Sequence, residues 1–372
     1  MRYLSAHYIF PVSSPPLKNG IICVNDNGCI VDVIDTGGKL EERANLEFYN
    51  GILVPGFVNA HCHLELSHLR HAIAPHGGLS DFVLSVVRMR GSNPETILDA
   101  AKKADEEMTK NGIVAAGDIS NSADTLGIKR NSRIRHHTFV EMFGLDVCRS
   151  KEIFAAAEQI KQEYVHAGLP ASLAPHAVYS VSPALWEMLH QSYSSSPPQV
   201  VSIHHRESGE EKELSPQMTA CLRKASRCLL VHNTFSSKVD LLQYTTSARR
   251  FYFALCPGSN LFIQNRLPDL QLFASPDFYE NTCLGTDSLA SNTCLSILEE
   301  MKIIQQNAPD LPLETLLQWA TLNGAQALGF DYSLGSLEQG KKPGINLITG
   351  IDFEKKKFTT ESVVKMLVGL HV

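Results

Sequence analysis

Residues 52–63 read ILVPGFVNAHCH, an apolar run that ends in His61-Cys62-His63. The run is short, rich in β-branched residues and bounded by glycine and proline, so Ile52–Val58 reads as a buried strand. Alternate residues of a strand point to the same side. His61 and His63 at its end therefore share one side and can share one cation, while Cys62 turns the other way into packing.

Upstream, Tyr8–Val12, Gly20–Val24 and Ile30–Ile34 are short apolar runs split by Ser-Pro-Pro, Asn-Asp-Asn-Gly and Thr-Gly-Gly, which predicts an all-β start. Downstream the texture changes. Strand-like runs at Ile113–Gly117, His137–Glu141, Ala171–Ala174, Val200–Ile203, Cys228–Val231, Arg250–Leu255 and Cys283–Gly285 follow one another. Helix-favouring stretches alternate with them: Pro94–Lys110, Ser150–Ala167, Pro183–Ser192, Ser236–Ser247 and Thr293–Gln306. Eight strands alternating with helices fit an α/β chain with a (β/α)8 TIM-like barrel, typically ~250 residues long. A doubly wound parallel sheet is the rival, disfavoured because polar clusters follow almost every strand. After a helical segment, Leu313–Leu328, β-like pieces return at Ser336–Leu337, Gly344–Thr349 and Lys357–Thr359. The expected organisation is a barrel over residues 53–330 and a small β-sandwich domain built from both chain ends, 1–52 plus 331–372.

The chain has 372 residues, 33 Lys+Arg and 39 Asp+Glu, for a net charge of −6. That mild acidity argues against nucleic-acid or anionic-membrane partners, which want a basic face. Its 9 cysteines are scattered without a CxxC pair, which reads as reduced thiols in a cytoplasmic protein. Residues 1–14 carry one positive charge and no long apolar run, so no leader is expected there. No apolar stretch is long enough for a membrane span.

Four further strand ends carry chemistry. His204-His205-Arg206-Glu207 follows Val200–Ile203 and offers a histidine ligand with a carboxyl proton carrier three residues on. His232 follows Cys228–Val231, Asp287 follows Cys283–Gly285, and His176 follows Ala171–Ala174. Each alone is unremarkable, since a strand-end aspartate is often a helix cap. Together they gather on the end of a barrel where active sites sit. Asp118 and Glu141 also end strands and read as loop structure, and Glu65 and Ser67 read equally as caps or substrate contacts.

The segments PGFVNAHCHLELS, APHAVYS, HHRES, LLVHN, CPGSN and GTDSLASN, in this order, resemble the amidohydrolase superfamily. The resemblance is to its cytosine deaminase and chlorohydrolase-like branch, and NAHCHLELS is similar to aminodeoxyfutalosine deaminases. It implies His61, His63, His204 and Asp287 as metal ligands, and Glu207, His232 and Asp287 as catalytic groups. His176 would hold the substrate ring, and His205 would be a neighbour only. Asn260 and Ser291 lie in the motifs without an assigned role. Two-metal members carry a bridging lysine after the fourth strand. Here Leu173-Ala174-Pro175-His176 has none, so one divalent metal is implied, zinc first and ferrous iron second.

The implied activity is deamination of an amino-substituted purine-like ring, 6-amino-6-deoxyfutalosine first, by a metal-activated water with loss of ammonia. Hydrolysis of a cyclic amide or carbon–halogen bond, or a metal-binding relative without activity, stand as alternatives. The partner is a small-molecule substrate, with no nucleic acid and no membrane, and a homodimer is open to the chain. Arg88 and Arg90 in VVRMRG are substrate-binding candidates for an anionic group, against the plainer reading of a solvated helix face. The end of the chain departs from the family at Asn346 in GKKPGINLI, where many relatives have aspartate.

Overall fold

The computed structural model describes residues 1–39, 43–245 and 251–370. The strands are β1 (Arg2–Ile9), β2 (Leu17–Lys18), β3 (Ile21–Val24), β4 (Ile30–Ile34), β5 (Leu46–Pro55), β6 (Phe57–Cys62), β7 (Ile113–Ser120) and β8 (Arg135–Met142). They continue with β9 (Ala171–Pro175), β10 (Val200–His205), β11 (Arg227–His232), β12 (Phe251–Leu255), β13 (Thr282–Leu284), β14 (Ile345–Asp352) and β15 (Lys357–Val368).

Strands from both chain ends form one seven-stranded mixed sheet, ordered β15-β14-β5-β1-β3-β4 with β2 on β1. Its own core holds Leu4, Ile22, Leu53, Ile345 and Leu347. Between these ends lie two four-stranded parallel sheets, β6-β7-β8-β9 and β10-β11-β12-β13. Both faces of a parallel strand are covered, which explains why β7, β10 and β12 are buried along their whole length. The two sheets meet at both edges. Cys62 and Asp287 form a parallel bridge between β6 and the end of β13. The His204 N–H donates to the His176 carbonyl at 2.9 Å, joining β10 to the end of β9.

The decisive run is split. Its first half finishes β5 in the terminal sheet and its second half is β6, with Gly56 between them. A Cβ on Gly56 would lie 2.3 Å from the Val114 side chain and 2.7 Å from the Pro343 carbonyl, so only glycine lets the chain pass from sheet to sheet here. Helices cover the strands, with their starts set by side-chain caps. Asn93 caps Pro94–Lys110, Ser182 caps Pro183–Ser195, and Ser296 caps Ile297–Asn307, which shortens the expected start at Thr293. The expected helix at Ser236–Ser247 is only Lys238–Leu242, and its last two residues, like Arg250 at the start of an expected strand, lie outside the described residues. Among the described residues no helix is long and apolar enough to cross a membrane.

Candidate active site

All eight parallel strands run the same way, so their C-terminal ends bring distant residues together. The His61 and His63 Nε2 atoms lie 3.1 Å apart. His204 joins them, with the ring nitrogens of the three mutually within 4.8 Å. Its Nδ1 is on the His176 carbonyl at 3.0 Å, which turns Nε2 toward the other two rings. Cys62 and His205 face away. Cys62 Sγ lies 3.5 Å from Asp118, and His205 sits between Asn233 and Glu213.

Asp287 completes the group. Its Oδ2 accepts from Ser259 (2.6 Å) and Ser291 (2.7 Å), leaving Oδ1 3.3 Å from His63 and 3.7 Å from His61. The turn that carries it is pinned because both Thr286 N–H and Asp287 N–H donate to the His61 carbonyl, at 3.0 Å each. Several of these turns adopt left-handed backbone at residues that are not glycine: Arg206 (φ 50°), His232 (φ 73°), Asn233 (φ 55°) and Asp287 (φ 57°).

Glu207 and His232 stand beside the cluster, 3.6 Å apart. Asn260, on the helix Pro257–Gln264, reaches His232 Nδ1 at 3.3 Å; with the amide donating there, the neutral ring carries its proton on Nε2. The Glu207 N–H is held by Glu211 at 2.9 Å.

Electrostatics follow from enclosure. Burial pulls His204 well below the ordinary imidazole range and His232 down to about 3, so both stay neutral and can lend a lone pair or a single N–H. Burial, then the charges of Asp287, Glu211 and Glu141, push the Glu207 carboxyl well above the carboxylate range. Burial opposes ionisation of Asp287 too, but the imidazoles of His61, His63 and His232 around it favour its ionised form and hold it well below that range. One carboxyl thus keeps a proton while its neighbour is a base, the division of labour that acid–base catalysis needs.

These groups open into a cavity of about 190 Å³. His176 lines it, with its Nδ1 2.7 Å from Ser180. The opposite wall is apolar and comes mostly from the helix Gly78–Met89, through Leu79, Phe82, Val83 and Val86, with Phe143 beside it. Arg90, just past that helix, lines the cavity and donates to Asn121 at 3.0 Å; Arg88 lines a separate hollow with Asp81 and Phe262. Among the described residues Arg90 has no carboxylate within ion-pair distance. Arg206 points elsewhere, onto Glu213 and the Phe235 carbonyl.

The reading from sequence passed over several groups here. The apolar stripe at positions 79, 82, 83, 86 and 87 carried the period of a helix facing the site. Glu141, read as loop structure, instead lines the cavity, and Glu65, read as a cap or a substrate contact, ties the loop after β7 to the loop after β6 through Asn121 and Ser122. Ser259, inside the CPGSN segment, holds Asp287, a role the sequence reading did not assign to it.

Residues 52–367 match the Amidohydrolase family, and the chain belongs to it as an enzyme of that hydrolase family. An adenosine deaminase of Helicobacter pylori is 27% identical over 347 residues, 85% of this chain and 82% of that protein. Among solved structures, Helicobacter pylori aminofutalosine deaminase in complex with methylthio-coformycin shares the fold at a TM-score of 0.78 and 22% identity, covering 99% of this chain and 98% of that one. An adenosine deaminase from Xanthomonas campestris with bound zinc follows at 0.75 and 23%, covering 95% and 86%.

Proposed function

We propose that the protein is a metal-dependent deaminase of adenosine-like rings, built on a (β/α)8 barrel over residues 53–330 with a small domain from 1–52 and 331–372. The two parallel sheets meeting at both edges support the barrel, and the sheet formed by both chain ends supports the division. The arrangement that carries the activity is Glu207 and Asp287 flanking three convergent histidines, with burial favouring the protonated form of Glu207 and the surrounding imidazoles favouring the ionised form of Asp287.

The donor set fits one divalent cation. His61, His63 and His204 bring three imidazole nitrogens to one point, with the free Asp287 oxygen beside them. Zinc accepts that nitrogen and oxygen set, and the Xanthomonas relative carries it. When bound, the cation supplies Lewis acidity that brings the pKa of water toward neutrality. The chain's own groups do the rest. The apolar wall and His176 seat the ring and exclude bulk water. Glu207 gives its proton to a ring nitrogen, which makes the amino-bearing carbon electrophilic. Asp287 takes a proton from the attacking water. The His232 Nε2–H steadies the oxygen that arrives, and return of the protons to the amino group expels ammonia. Water and the amine go in, and ammonia and the oxo ring come out.

Within that class 6-amino-6-deoxyfutalosine is the substrate we favour. Its carboxylate needs a cationic partner when desolvated, and Arg90 offers one at the far side of the cavity. The zinc-loaded protein should release ammonia from 6-amino-6-deoxyfutalosine faster than from S-adenosylhomocysteine or adenosine. Release from guanine alone, or from none of a panel of amines, would overturn the assignment.

A further inference from the structure

The largest cavity described lies at the other end of the parallel strands. It is a cleft of about 740 Å³, within the ~300–1,000 Å³ range of small-molecule sites. The starts of β8 and β10 and the turn before β9 form its floor, through Arg135, Val200 and Pro170. The terminal sheet contributes Gly28, Gly369 and the nearby Lys342.

Its charge is one-sided. Lys129, Arg130, Arg133, Arg135 and Lys342 line it, and among the described residues no aspartate or glutamate does. Lys129 is already neutralised by Asp118 at 2.6 Å. The other four are not paired with any carboxylate among the described residues. Arg135 is held instead by uncharged groups. It donates to the Tyr332 hydroxyl (3.0 Å) and Ser333 (2.8 Å), and its guanidinium lies 5.4 Å from the Phe330 ring centre. That fixes its position and leaves its charge uncompensated. Some cations elsewhere on the surface sit beside acids, as Lys103 does with Asp99 and Lys238 with Asp277. Among the described residues, none of the acidic side chains lines this cleft.

Like charges gathered without counter-charge repel one another, and an anion from solution relieves that. Guanidinium forks match phosphate oxygens two at a time. An extended polyanion would meet the acidic remainder of the surface, so a compact ligand fits better. We propose that this cleft binds a small molecule carrying two or more phosphate groups, through Arg130, Arg133, Arg135 and Lys342.

Calorimetric titration of the full chain with inorganic tripolyphosphate at ~0.15 M salt tests it. One saturable site with a dissociation constant of about 0.1 mM or tighter is expected from the four charge-assisted contacts. Arg130→Ser and Arg133→Ser, both at exposed positions, should each weaken it by about tenfold, leaving thermal stability unchanged. Arg88→Ser, remote from the cleft, should leave it intact. Uridine triphosphate in parallel separates sources: equal affinity assigns recognition to the phosphates, tighter affinity to a nucleotide. No saturable binding, binding indifferent to Arg130 and Arg133, or equal loss in Arg88→Ser would overturn the site. So would a short RNA duplex binding more tightly than tripolyphosphate.

Discussion

Strand β6 separates two buried polar clusters that differ in one respect. On the Cys62 side, Lys129 and Asp118 form an ion pair without solvent exposure, and everything is used. The three Lys129 protons go to Asp118 (2.6 Å), Ser120 (2.9 Å) and Thr138 (3.1 Å). Asp118 also accepts the Leu64 N–H at 2.8 Å. Burial disfavours both charges, yet each holds the other ionised. On the His61 side, the three histidines turn ring nitrogens toward one point, and His232 Nε2 is buried with no hydrogen-bond partner among the described residues. A cluster that satisfies itself is architecture, and one left incomplete at comparable burial is waiting for something to bind.

Lys129→Met should be the most damaging change on the satisfied side. It leaves Asp118 buried and unpaired, and chemical denaturation should show a loss of about 3–5 kcal/mol. A loss below about 1 kcal/mol would remove the distinction between the clusters. On the incomplete side, binding should supply what is missing. Zinc at a thousandfold over its dissociation constant should stabilise the protein by about 4 kcal/mol, a gain that chelation reverses and that His61→Ala and His204→Ala lose. Glu207→Gln should cut ammonia release at least ~100-fold with bound zinc unchanged by elemental analysis. Near-normal turnover would deny Glu207 its proton-transfer role. The smallest effect concerns the cavity's far wall. Arg90→Met should raise KM for a carboxylated substrate by about tenfold and leave neutral nucleosides alone, while Arg88→Met does neither. Equal losses on charged and neutral substrates would make Arg90 a support of Asn121.

The sequence was legible where a feature is local. Period-two alternation separated His61 and His63 from Cys62, and the alternation of strand and helix located the parallel strands to within a few residues. The chain ends were harder. Ser336–Leu337 reads as a β-like piece yet lies outside any strand, and β15 runs on through Val368 because pairing with β14 sustains a segment with mixed polarity. Groups whose meaning depends on a distant partner were illegible. Nothing near Lys129 announces Asp118, and nothing near Ser259 announces Asp287. The helix Gly78–Met89 did carry its apolar stripe, but the eye goes to the paired arginines at its end.

The left-handed turns bear on how such an enzyme can diversify. Each departure of a non-glycine residue from ordinary backbone costs on the order of 1–3 kcal/mol, and here each side chain is fastened: Arg206 to the Phe235 carbonyl, His232 to Asn260, Asn233 to His205, Asp287 to two serines. Glycine would relax the backbone and abandon those fastenings, whereas other residues would keep the strain. Substitution at these positions therefore carries a cost. The helix Gly78–Met89 is different, since Leu79, Phe82 and Val83 touch the cavity and hold no reactive group. A lineage in search of new substrates would rewrite that helix and inherit the turns unchanged.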